Sequence, residues 1–366
     1  MKVGLSTILK MEPSERAAAL SEIGFRDGRL ASQNIDDLQR FSHLSGELQH
    51  IIEAALNSPD PDSALSSLER FCTAAADAGV DIMPLLEHLP LFIKLFGSSE
   101  FLSSILIRKP ERGLELINSP YLKKEKPLGV MKSELEGMTA AASDYNYLLS
   151  ALRLYKQGEF LRVGSRDLFG YGPFEEVTSE LSSLASASLD TAYNFCLTFL
   201  KKEYGIPYYR DGDGKPRECG FVVLGMGKLG GNELNFSSDI DLIYLYTSDE
   251  GETLGGAKSH TIYEFYCKLA ELLTKAISSN TEEGFVFRVD LRLRPDGQNG
   301  PIVNSLSSAE TYYESWGETW ERSAMIKARP VAGDISLGER FLKEIEPFIY
   351  RKYLDFSTVE DIKEMK

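Results

Sequence analysis

Gly225-Met226-Gly227-Lys228-Leu229-Gly230-Gly231 is followed, after seven residues, by Asp239-Ile240-Asp241. Two positions apart on an extended strand, Asp239 and Asp241 project from the same face. Two carboxylates side by side repel each other unless a cation lies between them. Hard oxygen ligands of this kind suit Mg²⁺, which commonly takes one or two carboxylates together with substrate phosphates. A glycine turn lets backbone N–H groups approach a phosphate closely. Together these are the parts of a phosphoryl or nucleotidyl transfer site. Each alone has a plainer meaning, since a glycine turn is also a loop and Asp-x-Asp also a solvated strand end.

A third acid lies downstream. In Phe287-Arg288-Val289-Asp290-Leu291-Arg292-Leu293-Arg294-Pro295, alternation predicts a strand with Phe287, Val289, Leu291 and Leu293 on one face. Arg288, Asp290, Arg292 and Arg294 fall on the other. A half-exposed surface strand gives the same pattern. One acid among three arginines suits phosphate, because a guanidinium donates two parallel hydrogen bonds, and Asp290 would complete a three-carboxylate set. Asp296-Gly297-Gln298-Asn299-Gly300-Pro301 reads as a turn. Trp316, Trp320, Ser323 and Lys327 share one face of an expected helix, and such a stripe is expected in a core rather than as a base-stacking platform. Lys327 and Arg329 would reach a phosphate or favour a helix C-terminus. His260 and the other three histidines receive no role.

The elements that must position these residues follow from periodicity and breakers. Strands are expected at Phe221–Leu224, Asp239–Tyr246 and Phe285–Leu293. A helix carrying Ile262, Phe265, Leu269, Leu273 and Ile277 is expected between the last two, and helix again after Ser305. Upstream the chain reads as helical to about residue 120, with caps expected at Ser14 and at Asp62 or Ser63. A connector is expected at Tyr121–Gly129, then two long helices, and the turn cluster Asp211–Pro216 marks an expected boundary. The layout is a helical region at 1–140, a helical segment packing on the catalytic domain at 141–215, a core at 216–305 and C-terminal helices at 306–366, an α+β chain overall.

Of 366 residues, 43% are hydrophobic, enough for sizeable cores in more than one domain, yet no apolar run is long enough to span a membrane. The N-terminus lacks the apolar region of a signal peptide. Four scattered cysteines, without metal-ligand spacing, read as free thiols of a reducing cytoplasm. A net charge of −15 argues against a nucleic-acid partner.

Gly230-Gly231 followed by Asp239-Ile240-Asp241-Leu242 resembles the nucleotidyltransferase superfamily of DNA polymerase beta. The longer run from Gly225 through Leu234-Asn235-Phe236-Ser237-Ser238 to Leu242 resembles the glutamine synthetase adenylyltransferases of bacterial nitrogen control. Val289–Pro295, Lys327–Asp334 and Arg166-Asp167-Leu168 are similar to further blocks of that family, and the resemblance runs from about Tyr145 to the end. It implies a DNA polymerase beta-like nucleotidyltransferase domain between helical parts. It also implies Mg²⁺ at Asp239, Asp241 and Asp290, with phosphate or adenine nucleotide at Gly230, Gly231, Ser238, Lys228, Arg292 and Arg294. The protein substrate it implies is glutamine synthetase, with a PII signalling protein as a further partner. Family members carry two such domains in tandem, one removing AMP and one adding it; this chain holds one. The wording before Asp239 is closer to the removing domain, so phosphorolysis of an AMP-tyrosine bond to ADP is expected. The forward transfer from ATP uses the same acids, and a non-catalytic signal-binding module is the alternative from another class. The polar ending Val359–Lys366, without a stop signal, reads as the edge of a longer protein.

Overall fold

The computed structural model describes residues 4–140 and 144–350. The C-terminal stretch Val359–Lys366, expected to be helical, lies outside them. The chain is a mixture of helix and sheet. The described residues divide into two compact units, those within 1–125 and 157–177, and those within 126–156 and 178–366.

The first unit is helix after helix, from Leu5–Ile8 to Glu111–Asn118. Side-chain oxygens of Asp27, Asp60 and Ser99 accept the backbone N–H three residues on, at 2.9, 3.0 and 3.3 Å. These bonds satisfy donors that a helix start leaves open. The cap in the Pro59–Ser63 break is therefore Asp60, not Asp62 or Ser63, because Pro61 takes the first helical position. Likewise Pro13 opens the helix Pro13–Ile23, which leaves Ser14 inside it rather than capping it. Phe71, Phe92 and Phe96, with ring centroids 5.6–6.4 Å apart, centre the core of this unit.

Among the described residues the strands fall in the second unit: β1 Gly205–Arg210, β2 Pro216–Glu218, β3 Phe221–Gly225, β4 Ile240–Tyr246, β5 Glu252–Gly255, β6 Val289–Asp290, β7 Asn304–Ser305 and β8 Arg329–Gly333. One sheet has the order β2-β1-β5. The other runs β6-β4-β3-β8, with β7 also on β4; β3 lies antiparallel to β4 and β8, and β6 and β7 parallel to β4. Strands therefore begin at Gly205, earlier than expected. The Asp211–Pro216 cluster turns the β1–β2 hairpin inside this unit instead of bounding it. The stretch after Ser305 is not helix throughout either, because β8 returns to the sheet.

β3, and β4 from Leu242 on, are buried on both faces, which explains their continuous apolar sequence there. Val222, Leu224, Ile243 and Leu245 meet the helices Leu306–Ser315 and Ile335–Glu344 through Ala309, Tyr313, Leu337 and Phe341. On the opposite face Phe221 stacks with Tyr193 at 5.8 Å and Tyr266 at 5.3 Å. Tyr266 belongs to the helix Ile262–Ser278, opened by a capping box of Thr261 and Glu264. The helix Phe174–Tyr204 brings Tyr193.

Candidate active site

The site sits where β4 meets β6 and where the loop after β3 turns back. In parallel register, Asp241 of β4 lies opposite Asp290 of β6. Asp239 immediately precedes β4. Burial first, then the charges of Asp290 and Asp239, raises the Asp241 carboxyl above its ordinary range. Asp290 is shifted the other way, chiefly by its hydrogen bond from the Arg292 side chain. The three acids thus share one electrostatic neighbourhood, in which Asp241 carries the burial and Asp290 the closest positive charge.

They are not gathered as ligands around one point among the described residues. Asp239 pairs with Arg288, whose Nη2 also donates to the Ser237 carbonyl at 2.7 Å. Asp290 pairs with Arg292. Their donor set of hard carboxylate oxygens under mutual repulsion nevertheless fits a divalent cation such as Mg²⁺.

The strand expected over Phe285–Leu293 contracts to two residues. After Asp290 the chain turns, because the Asp290 carboxylate accepts the backbone N–H of Arg292 at 2.8 Å, an Asx-type turn. Val286 and Phe287, just before β6, are both buried. Arg294 does not face the acids with free donors. Its guanidinium donates to the carbonyls of Leu291, Gln298, Gly300 and Pro301, at 2.7, 3.3, 3.1 and 2.9 Å, and ties the following loop together.

The glycine turn has a division of labour. Gly227 lies in the left-handed region, with φ 51°, and a Cβ there would stand 2.9 Å from Asp241 Oδ2. Its role could be sought in the sequence only from its place in the motif. Gly230 packs against backbone, where a Cβ on it would fall 2.1 Å from the Lys327 carbonyl oxygen. Gly231 lies against the side chains of Lys327 and Glu233, which form an ion pair. Arg329 donates to the Leu229 carbonyl at 3.0 Å and to that of Gly230 at 3.3 Å, so it closes the end of the turn. Lys228 and Ser238 do come together, with Nζ 3.4 Å from Oγ; Ser238 in turn donates to Asn235 Oδ1 at 2.7 Å.

Two supports were not foreseen. Arg153, fully buried, donates to the carbonyls of Gly284 at 2.7 Å and Ala276 at 3.2 Å, and also to that of Ser279. It fastens the segment that leads into β6, and nothing in its helical sequence context marks it. Ser179 and Ser182 of the helix Phe174–Tyr204 hold the β3–β4 loop, accepting from Asn232 Nδ2 and the Leu234 N–H, each at 3.0 Å.

The tryptophan stripe is a correction. The helix Leu306–Ser315 stops before Trp316 and another begins at Thr319. Trp316 and Trp320 are 76% and 40% exposed rather than in a core. A Cβ on Gly317 would stand 2.5 Å from the Phe348 ring, so the break is packed tightly. His260 rests edge-on to Tyr204.

A family model described as glutamate-ammonia ligase adenylyltransferase matches residues 89–344, well over half of the chain. Curated relatives include proteins of Nitrosococcus oceani, Thioalkalivibrio sulfidiphilus and Pseudomonas aeruginosa, at 42%, 41% and 40% identity. Each is named a bifunctional glutamine synthetase adenylyltransferase/adenylyl-removing enzyme. The alignments cover 82%, 82% and 83% of this chain but 31%, 30% and 30% of the relatives. The chain thus spans about a third of the length of the curated relatives it matches. No described helix is long and apolar enough to cross a membrane.

Proposed function

The chain belongs to the glutamate-ammonia ligase adenylyltransferase family, and from that premise we propose that its site removes AMP from adenylylated glutamine synthetase by phosphorolysis. An oxygen of inorganic phosphate attacks the AMP phosphorus, the bond to the tyrosyl oxygen breaks, and the phenolate leaves to take up a proton. ADP and free tyrosine result. The observation that carries this reading is the register of Asp241 beside Asp290, with Asp239 one residue before β4 and both neighbours acting on the Asp241 carboxyl.

In this reading Asp239, Asp241 and Asp290 hold Mg²⁺, which would stabilise charge on the transferring phosphorus. Gly227 leaves room for the Asp241 carboxylate. Lys228 and Ser238, at the mouth of the β3–β4 loop, meet phosphate oxygens, with Gly230 and Gly231 shaping that loop. Arg292 is the phosphate-facing guanidinium, whereas the Arg294 donors are spent on carbonyls. The sheet and its helices are proposed to form the DNA polymerase beta-like nucleotidyltransferase domain that the motif spacing resembles. A PII signalling protein is the proposed regulatory partner, with no residue assigned to it.

Direction rests on the wording before Asp239. The relatives' printed name carries both activities, which keeps the forward transfer in view. Two assays on the purified chain decide it: adenylylated synthetase with phosphate and Mg²⁺, and unmodified synthetase with ATP and Mg²⁺. ADP release in the first and no labelling in the second is expected. The reverse pattern overturns the assigned direction.

A further inference from the structure

Resting on the reading of this site as a metal-dependent phosphoryl-transfer centre, we propose that Arg288 and Arg292 are exchangeable counter-ions. Each holds one expected metal-binding carboxylate and gives it up to a divalent cation when substrate phosphate arrives. Arg288 grips Asp239 and the Ser237 carbonyl. Arg292 forks over Asp290, with Nε 3.0 and 2.8 Å from the two carboxylate oxygens. Both arginine side chains are more than half exposed, at 58% and 67%, so nothing packs them in place. Asp290, by contrast, is 14% exposed, and the backbone N–H of Arg292 at 2.8 Å fixes it independently of the guanidinium. Releasing Arg292 would therefore free the Asp290 oxygens without letting the carboxylate wander. Among the described residues Asp241 forms no ion pair, and it stands opposite Asp290 in register.

A cation and a guanidinium cannot share the same carboxylate oxygens, because their charges repel. A guanidinium fork fits phosphate as well as it fits carboxylate. Metal and arginine thus compete for the acids, while phosphate and the acids compete for the arginines. Each competition favours the other's outcome, so phosphate must tighten metal binding and metal must tighten phosphate binding by the same factor. Phosphate bound directly to the cation couples the two as well, so the share owed to the arginines is the part of the coupling that is lost when they are removed.

Mn²⁺ is the probe, its free fraction read by electron paramagnetic resonance on the full chain, with and without inorganic phosphate and against protein-free controls. Without phosphate, the R288A/R292A double variant should bind Mn²⁺ about tenfold more tightly than the unaltered protein, the order expected from losing two partly exposed ion pairs. Phosphate should tighten binding by a larger factor in the unaltered protein than in the double variant; an equal factor in both overturns the exchange. Should the alanine variant fail to fold, R288K/R292K, which keeps the charge but not the fork, should weaken the coupling. Equal affinities with and without phosphate, while D239N still abolishes Mn²⁺ binding, overturn the exchange and leave the metal centre standing. Mn²⁺ binding unaffected by the double change D239N/D241N overturns both.

Discussion

β4 carries Asp241 on a strand whose next five residues are all buried, between an aromatic layer and a helical one. Asp290 stands on the last residue of a two-residue strand, held by hydrogen bonds from chain that has already left the sheet. One acid is placed by a packed core and the other by polar contacts. Core packing fixes position through many small apolar contacts that resist local change. Hydrogen-bonded loops open individually and at lower cost. A site that must bind and release phosphate gains from having one wall of each kind.

The widest gap between the two walls should appear with Asp241→Asn. Turnover should fall at least about 10³-fold, roughly 4 kcal/mol of barrier. Stability at pH 7 should be equal to or above that of the unaltered protein. The folded Asp241 carboxyl titrates above its unfolded value, so its ionised form weakens the fold at neutral pH, and this penalty fades as pH falls through the raised value. The variant's advantage in urea unfolding should accordingly shrink as the solution is acidified; an advantage that grows instead would contradict the crowding of acids around Asp241. Leu242→Ala comes next. Its side chain is fully buried beside Gly225, and its loss should cost about 2–5 kcal/mol in urea unfolding. A cost below about 1 kcal/mol would mean β4 is not the rigid wall described. Arg294→Ala should cost about 1–2 kcal/mol and act locally. Hydrogen exchange should quicken in residues 291–301 while β3 and β4 stay protected; equal loosening of both would erase the distinction between the walls.

The sequence shows the first wall more clearly than the second. Phe221–Leu224 and the stretch from Leu242 to Tyr246 are apolar runs, the first bounded by glycines and the second opening after Asp241, and burial on both faces is what such runs express. β6 misled because alternation continues to Arg294, whereas the competing bond from the Asp290 carboxylate to the Arg292 N–H is a local event that periodicity does not register. β1 stayed hidden because Gly205 and Pro207 lie inside it, and a proline in a strand paired on both sides argues against the strand from sequence alone. β8 was masked by its place between helices. That Asp241 and Asp290 would lie near each other was readable from residue type and spacing, whereas Lys228 and Ser238 were named only through the family resemblance. Gly227, Arg153 and the two serines under the loop were not readable, since their roles depend on contacts across more than fifty residues of chain or on a backbone angle.

The helix Phe174–Tyr204 holds the loop and the strand around the site through Ser179 and Ser182 under the β3–β4 loop, and through Asp190, whose Oδ1 accepts the Gly333 N–H at 3.1 Å at the end of β8. Successive helical residues step by about 100° around the axis. The loop behind the glycine turn and the tail of β8 are therefore indexed to the angular setting of one rod, like two cams on a shaft. A turn of that shaft by a single residue would swing the hydroxyls from under Asn232 and Leu234 and withdraw the carboxylate from Gly333 in the same movement. The phasing of a helix that contributes no acid to the site is in this way written into the site's dimensions.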